Sequence, residues 1–241
     1  MNQQSSLWAD AWRRLLANKA AVTGGLILCL FITLAILAPW IAPHSYSYQN
    51  LELGAQPPSS DFLLGTDTLG RDLFSRILYG ARVSLMVGFV ATGVALVIGV
   101  SWGIIAGYFG GRVDSVMMRI VDVLYGLPFI IFIILLMVIF GRNIWLLFGA
   151  IGAVEWLTMA RIVRGQVLTI KTQEYVLAAQ AMGVSNIQMF RKHIFPNILG
   201  PIAVYATLTI PQVMLLEAFL SFLGLGIQPP MSSWGTLIRY G

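Results

Sequence analysis

Long uncharged apolar runs dominate the pattern along the chain. The first covers residues 20–43 and the second covers residues 83–111, and neither contains a charged side chain. At 1.5 Å per residue, a helix of either length crosses the roughly 30 Å hydrocarbon core of a bilayer. A backbone in lipid must satisfy its own hydrogen bonds, and these runs are too long for barrel strands. The pattern therefore predicts membrane-spanning helices.

Three further apolar runs cover residues 117–140, 144–160 and 199–223 and carry only a few charges. Gly126 and Pro128 lie inside the first of them and predict a kink. The five runs together predict an all-α, polytopic transmembrane helix bundle. A cleaved signal peptide would have an apolar region of about 7 to 15 residues, which is shorter than the first run, so we interpret that run as an uncleaved anchor.

Gly99, Gly103 and Gly107 recur at four-residue spacing in the second run, which places them on one face of a helix. Such a face predicts a closely packed neighbouring helix. The alternative is that glycine is simply common in membrane helices.

Composition agrees with a membrane protein, because 58% of residues are hydrophobic and only 10% are charged. The net charge of +5 arises from short basic clusters between apolar runs, so the sequence does not predict nucleic-acid binding. The lone Cys29 excludes an intrachain disulfide and a paired-cysteine metal site. His44 and His193 are too far apart for an HExxH zinc motif, so no metal site is predicted.

Basic residues predict the orientation, because they resist translocation across the membrane. A cytoplasmic N terminus places ten basic residues inside and five outside. The inside set is Arg13, Arg14, Lys19, Arg112, Arg119, Arg161, Arg164, Lys171, Arg191 and Lys192, and the outside set is Arg71, Arg76, Arg82, Arg142 and Arg239.

The stretch between the fourth and fifth runs, residues 161–198, predicts two short helices joined by a turn. Thr172 is placed to cap the first helix, Glu174 lies in its first turn, and Gly183 supplies a left-handed stop. Its small residues favour a surface that docks another protein. An amphipathic loop resting on lipid headgroups is the alternative.

The second short helix is predicted to begin at Ser185, which forms a capping box with Gln188. Pro196 is predicted to interrupt the helical pattern.

Glu155 and Glu217 lie inside apolar runs, where an ionisable side chain is costly unless it faces a cavity or a partner. We therefore predict both as candidates for a translocation path. Glu217 has the alternative of hydrogen bonding within the bundle.

No GxxxxGK[ST] string occurs, so the sequence lacks the phosphate-binding loop that holds ATP. An enzymatic role is not predicted, and any ATP-driven work requires another subunit.

The string LAAQAMG, followed by Pro196 thirteen residues beyond Gly183, resembles the cytoplasmic signature loop of binding-protein-dependent ABC importer permeases. The resemblance implies a loop that contacts a separate ATPase subunit, with Glu174, Ala178, Ala179, Gly183 and Pro196 as its candidate residues. The family pattern usually begins with Glu, whereas this sequence has Leu177 at that position.

Further strings are similar to the C-type subunit of oligopeptide and dipeptide permeases. They are LGTDTLGRDLFSR, GGRVDSVMMR and SFLGLGIQPPMSSWG, and MARIVRGQ is most similar to the oligopeptide branch. The resemblance implies residues 1–66 as an N-terminal cytoplasmic segment, an anchor helix and the start of an outer segment. It implies residues 67–241 as the importer transmembrane domain, with its cytoplasmic coupling loop at about 161–198. That family has six spans, so the sequence, with five, is expected to be truncated at its C terminus and to lack the last helix.

The implied function is oligopeptide import across the bacterial inner membrane, with dipeptides, glutathione or nickel as alternative cargo. The implied partners are a second permease, two cytoplasmic ATPase subunits that bind ATP and magnesium, an external peptide-binding protein and membrane lipid. A secondary transporter is a remote alternative, and a membrane scaffold that recruits a soluble protein is another.

The string at residues 64–72 is interpreted as turns built on Gly65 and Gly70, with docking of the binding protein as its alternative.

Overall fold

The computed structural model describes residues 7–141 and 143–240, and it is helical throughout its ordered elements. Arg142, one of the basic residues assigned to the outside, lies beyond this range. In chain order, the described helices are α1 (Leu7–Ala17), α2 (Lys19–Ile41), α3 (Leu73–Phe109), α4 (Gly111–Tyr125), α5 (Phe129–Phe140), α6 (Ile144–Lys171), α7 (Glu174–Ala181), α8 (Asn186–Met189), α9 (Phe195–Phe222) and α10 (Trp234–Tyr240).

Four helical stretches of the described residues are long and apolar enough to cross a membrane. They are Lys19–Ile41, Leu73–Phe109, Ile144–Lys171 and Asn186–Phe222. The pair α4 and α5 makes a fifth candidate when it is counted as one broken span. These findings confirm the predicted polytopic helix bundle.

The kink predicted in the third run is a break between two helices. α4 and α5 meet at an angle of 78°, and residues 126–128 separate them. Pro128 has no N–H group to donate, and a proline disfavours helical backbone at the residue before it. The chain therefore leaves α4 at Gly126 and starts a new helix at Phe129.

Helix α3 is 37 residues long and begins ten residues before the predicted run. Its start is fixed by Asp72, whose Oδ2 accepts a hydrogen bond from the Ser75 backbone N–H at 3.0 Å. An acidic N-cap satisfies a free backbone donor and complements the positive end of the helix dipole. Hydropathy alone missed this first part because Arg76 and Arg82 interrupt the apolar pattern.

The glycine face of α3 packs against α6, which confirms the predicted close neighbour. A Cβ atom built on Gly99 would lie 2.6 Å from the Cβ atom of Met159, and one built on Gly103 would lie 2.6 Å from the carbonyl oxygen of Ala160. Both distances are too short for real atoms, so α3 and α6 approach closely because these positions have no side chain.

Pro196 does not interrupt the helix, so that prediction is wrong. Residues Asn186–Phe222 continue as one helical stretch, and a π-helical turn at Phe190–Ile194 precedes the proline. The wider π turn accommodates the proline ring, which would clash with the preceding turn of an ordinary α-helix.

Candidate functional sites

The two ends of the helix bundle carry different segments of the chain. Residues 172–194, which we call the coupling segment, lie at the end of the bundle where both α3 and α6 end. The Tyr108 hydroxyl donates a hydrogen bond of 2.8 Å to the Asn186 carbonyl, and the Lys171 Nζ donates one of 2.7 Å to the Tyr108 carbonyl. Residues 42–72, which we call the connecting segment, lie at the opposite end, between α2 and the start of α3.

The turn of the coupling segment forms around Gly183, as predicted. Its φ of 78° is in the left-handed region that favours glycine, and its N–H donates to the Gln180 carbonyl at 2.9 Å. The following N–H, of Val184, donates to the Ala179 carbonyl at 3.1 Å. These bonds satisfy the free carbonyls at the end of α7.

The predicted helix caps are only partly present. Helix α7 begins at Glu174 with Gln173 at its N-cap position, because the Thr172 hydroxyl donates instead to the Thr169 carbonyl at 2.9 Å. Ser185 is the N-cap residue of α8, as predicted, but its side chain makes no capping hydrogen bond within this described segment. The predicted capping box with Gln188 is therefore wrong.

The inward face of the coupling segment is apolar and closely packed. Val176, Ala179, Met189 and Ile194 belong to one buried cluster with residues of α6. Ala179 is only 3% exposed. This packing holds the coupling segment against the helices that enter the membrane.

The outward face of the same segment carries exposed apolar side chains. Leu177 is 50% exposed, Met182 is 77% exposed and Ile187 is 72% exposed. Ala178 is exposed beside them, so the two predicted alanines point to opposite sides. Glu174, Gly183 and Pro196 are also exposed. An apolar surface of this kind can be covered by a protein partner or by lipid headgroups, the two alternatives that the sequence left open.

Ion pairs attach α4 to α6 in the half of the bundle that carries the coupling segment. The Arg164 guanidinium pairs with Asp114, and one of its nitrogens lies 2.6 Å from Asp114 Oδ2. Arg161 lies 2.8 Å from Asp122 and 4.3 Å from the centre of the Tyr125 ring. The local sequence pattern does not indicate these pairs, because their members lie 50 and 39 positions apart.

Glu155 lies beside a cavity of about 440 Å³ at the break between α4 and α5. The cavity walls are mostly apolar, with Leu124 and Phe132 among them, and Thr158 and Gln212 add polar groups. Within the described part of the chain, no hydrogen bond or ion pair engages the half-buried Glu155 carboxylate. A carboxylate in this position can meet a cationic or hydrogen-bonding group that enters the cavity.

Glu217 has a different environment, inside the bundle. Its side chain is fully buried, and its Oε1 accepts hydrogen bonds from the Ser221 hydroxyl at 2.5 Å and the Ser233 hydroxyl at 2.8 Å. Ser233 immediately precedes α10, so this carboxylate attaches the chain after α9 to α9 itself. The geometry agrees with the alternative of hydrogen bonding within the bundle.

The charged side chains at residues 67–76, where the connecting segment meets α3, point inward. Asp67 Oδ2 accepts a hydrogen bond of 2.7 Å from Arg71 Nε and also pairs with Arg76, and all three residues are at most 5% exposed. Gly65 and Gly70 have φ values of 77° and 68°, as the turn interpretation of residues 64–72 requires. The charges of this string hold the segment on α3 and are not presented to solvent.

Replacing Asp67 by Asn is expected to destabilise the connecting segment by about 3 kcal/mol, since it leaves two buried arginines without their carboxylate. Burial opposes ionisation of Asp67, but hydrogen bonds from Arg71 and from the Leu69 N–H outweigh it and hold the pKa of Asp67 below its ordinary value. The stabilisation is therefore present above the ordinary carboxyl pKa and is lost as the pH falls through the lowered one.

Limited proteolysis of residues 42–72 in detergent, followed against pH, measures this effect. Asp61→Asn is the matched control, because Asp61 is exposed in the same segment. Equal protease resistance of the two variants at neutral pH would contradict the stabilising role of Asp67.

Residues 99–103 read G-x-S-x-G, the pattern of a hydrolase nucleophile elbow. That motif requires a strand-to-helix turn, whereas these residues lie in the middle of α3. The Ser101 hydroxyl donates to the Val97 carbonyl at 2.7 Å, as serines in helices commonly do. The two glycines of the string therefore belong to the packing face of α3, and the exposed Ser101 does not stand on a nucleophile elbow.

Comparison with known proteins supplies a family for this arrangement. The family described as binding-protein-dependent transport system inner membrane component matches residues 99–241. The family described as the N-terminal TM domain of oligopeptide transport permease C matches residues 6–58.

Individual relatives match nearly the whole chain. The dipeptide transport system permease protein of Bacillus subtilis is 50% identical over 96% of this chain and 72% of its own length. The oligopeptide transport system permease protein of Escherichia coli K12 is 49% identical over 98% of this chain and 79% of its own length. A glutathione transport system permease protein of Pectobacterium atrosepticum is 38% identical over 96% of this chain and 77% of its own length.

Proposed function

The chain belongs to the family of binding-protein-dependent transport system inner membrane components, and on that premise we propose that it is the C-type permease subunit of an oligopeptide importer. It is a multi-pass inner-membrane protein and a permease rather than an enzyme. The observation that carries the proposal is the combination of this family membership with an exposed apolar surface on a segment packed against three spans.

ATPase and binding-protein partners follow from the family. We propose that the complete importer contains two cytoplasmic ATPase subunits, one further permease chain and an external peptide-binding protein. In this arrangement the N terminus and the coupling segment lie in the cytoplasm, and the connecting segment lies outside. The excess of basic residues toward the coupling end supports this orientation.

The coupling segment is proposed to dock in the ATPase through its outward face. Leu177, Ala178 and Met182 provide the contact, and Gly183 permits the turn that presents them. Ala179, which faces inward, acts by allowing α7 to approach α6.

Movement of the ATPase subunits would be transmitted by the rigid contacts behind that surface. The buried cluster joins the coupling segment to α6, Tyr108 joins it to α3, and α9 continues directly from α8 and the π turn. A displacement of the segment therefore acts on three spans together. ATP binding and hydrolysis in the partners can bias these spans between inward-open and outward-open arrangements.

Glu155 is proposed to face the translocation path. Its carboxylate lies at an open cavity near the α4–α5 break, where a second permease chain can complete the wall. Glu217 was also a candidate, but its buried bonds to Ser221 and Ser233 support a role in holding α9 and α10 together.

Peptides are proposed as cargo because relatives at 48% to 50% identity are named as oligopeptide and dipeptide permeases. The test is uptake into vesicles that contain the chain with its partner permease, ATPases and binding protein. We expect ATP-dependent accumulation of labelled tripeptides to pentapeptides. Uptake of dipeptides or glutathione alone would reject the oligopeptide assignment, and no ATP-dependent uptake of any of these would reject peptide transport.

The same vesicles test Glu155. Glu155→Gln is expected to lower oligopeptide uptake about tenfold, which corresponds to about 1.4 kcal/mol of lost interaction, without altering ATPase association. Glu52→Gln is the control, since Glu52 is exposed in the connecting segment. Equal uptake by both variants would remove Glu155 from the path.

A further inference from the structure

A cleft of about 350 Å³ separates α2 from α3 on the side of the connecting segment. Its walls are apolar and include Ile32 and Ile36 from α2 and Met86 and Phe89 from α3. Arg82 is the charged residue of its lining. We call this feature the α2–α3 cleft.

Helix α2 is weakly attached to the rest of the chain, which is why the cleft exists. Among its described residues only Ala35 and Ala38 are buried, while Ile36 and Trp40 are 61% and 77% exposed. Ala35 forms a small buried cluster with Ala81 and Leu85 of α3, and Ile32 packs against that cluster. Apolar surface is thus left on both sides of a narrow gap.

Arg82 has no acidic partner among the described residues. The two acids that precede α3 bond to other groups. Asp67 pairs with Arg71 and Arg76, and Asp72 accepts hydrogen bonds from Ser75 through Oδ2. The Arg82 side chain is exposed. An unpaired guanidinium beside apolar walls attracts an anion that can form parallel hydrogen bonds with it.

The charged and apolar parts of the cleft are arranged along the helix axes. Because α2 and α3 are antiparallel, Trp40 and Arg82 both lie at the end nearest the connecting segment. The lining extends from them for about 12 Å along α2, to Ile32, and for about 10 Å along α3, to Phe89. Trp and Arg at one level, with only apolar groups deeper, is the arrangement found where headgroups meet hydrocarbon.

We infer that the α2–α3 cleft binds one anionic phospholipid, with its phosphate at Arg82 and an acyl chain against Ile36, Met86 and Phe89. A zwitterionic lipid fits less well, since the cleft lining offers its ammonium group no carboxylate. The bound lipid fills the gap and attaches α2 to α3. The cleft faces the membrane, so lipid binding there does not depend on which cargo the protein carries.

Native mass spectrometry of the purified full chain, released from nanodiscs with equal amounts of phosphatidylglycerol and phosphatidylethanolamine, tests the inference. We expect the wild type to retain one phosphatidylglycerol in preference to phosphatidylethanolamine. Arg82→Gln should lower that preference at least fivefold. Arg112→Gln, which removes the same charge from an exposed position on α4, should leave it unchanged.

Ile36→Trp provides a second, independent test, because it fills the cleft and keeps Arg82. It should reduce retention of both lipids. Unchanged phosphatidylglycerol retention in Arg82→Gln or in Ile36→Trp would overturn the site.

Two further measurements separate the lipid from other occupants. Displacement of the bound lipid by soluble glycerol phosphate at millimolar concentration would show that the site recognises a free phosphate, and would overturn the proposal. Loss of the bound lipid when the partner permease and ATPases are assembled would show that another subunit covers the cleft, and would overturn it equally. Retention in the assembled complex supports it.

Discussion

Replacing Gly103 by leucine is expected to prevent stable folding of the bundle. A Cβ atom at this position would lie 2.6 Å from the Ala160 carbonyl oxygen, 2.8 Å from the Val163 Cβ atom and 2.9 Å from the Arg164 backbone nitrogen. Two of these neighbours are backbone atoms of α6, which cannot rotate away. The two helices must therefore separate, at a cost of about 3 kcal/mol or more.

Gly93→Leu is the matched control for this prediction. Gly93 lies on the same helix, and a Cβ atom built there has no neighbour within 4 Å. Thermal unfolding and size-exclusion chromatography of the free chain in detergent should show a large loss for Gly103→Leu, a smaller one for Gly103→Ala, and almost none for Gly93→Leu. Equal behaviour of the two leucine variants would mean that α3 and α6 do not approach each other as described.

The glycine spacing shows how far sequence can predict packing. A four-residue repeat places small residues on one face, so the presence of a close neighbour was predictable. The identity of that neighbour was not, because the complementary positions on α6 are the ordinary residues Met159, Ala160 and Val163. Only the three-dimensional arrangement selects α6 from the other apolar helices.

Charged residues show the same division between local and distant information. The left-handed turn at Gly183 depends on neighbouring residues and was predicted. The pairs Arg76–Asp67 and Arg164–Asp114 join positions that are 9 and 50 residues apart, and nothing in the local pattern indicates them. Thr172 is an exception to this division: its competing partner is local, because its hydroxyl donates to the Thr169 carbonyl three residues earlier and does not cap α7.

The candidate site residues also show which features the sequence could predict and which only the fold decides. The family strings predicted the coupling segment, but they could not tell which alanine faces outward. Adjacent residues of a short helix differ in burial only once α7 is packed against α6. Similarly, Glu155 and Glu217 are alike in sequence as acids in apolar runs. The fold separates them, since a serine from beyond α9 reaches Glu217 and the break at Pro128 leaves space beside Glu155.

Replacing Ala178 by arginine is expected to abolish ATP-dependent uptake while the chain still folds. Ala178 is exposed on α7, so a larger side chain meets solvent in the free chain. In the proposed ATPase contact, the same change places a long charged side chain in a small apolar surface, where an unpaired buried charge costs several kcal/mol. We expect uptake and peptide-stimulated ATP hydrolysis to fall at least a hundredfold, in line with about 3 kcal/mol of lost binding.

Ser115→Arg separates this effect from a general effect of added charge. Ser115 is exposed on α4 at the same end of the bundle, outside the coupling segment. Copurification of the ATPases should be lost for Ala178→Arg and retained for Ser115→Arg, with equal thermal stability of the two free chains. Full uptake by Ala178→Arg would place the ATPase contact elsewhere. Retained copurification with lost uptake would instead locate the defect in transmission from α7 to α6, the route that we propose through the inward face at Ala179.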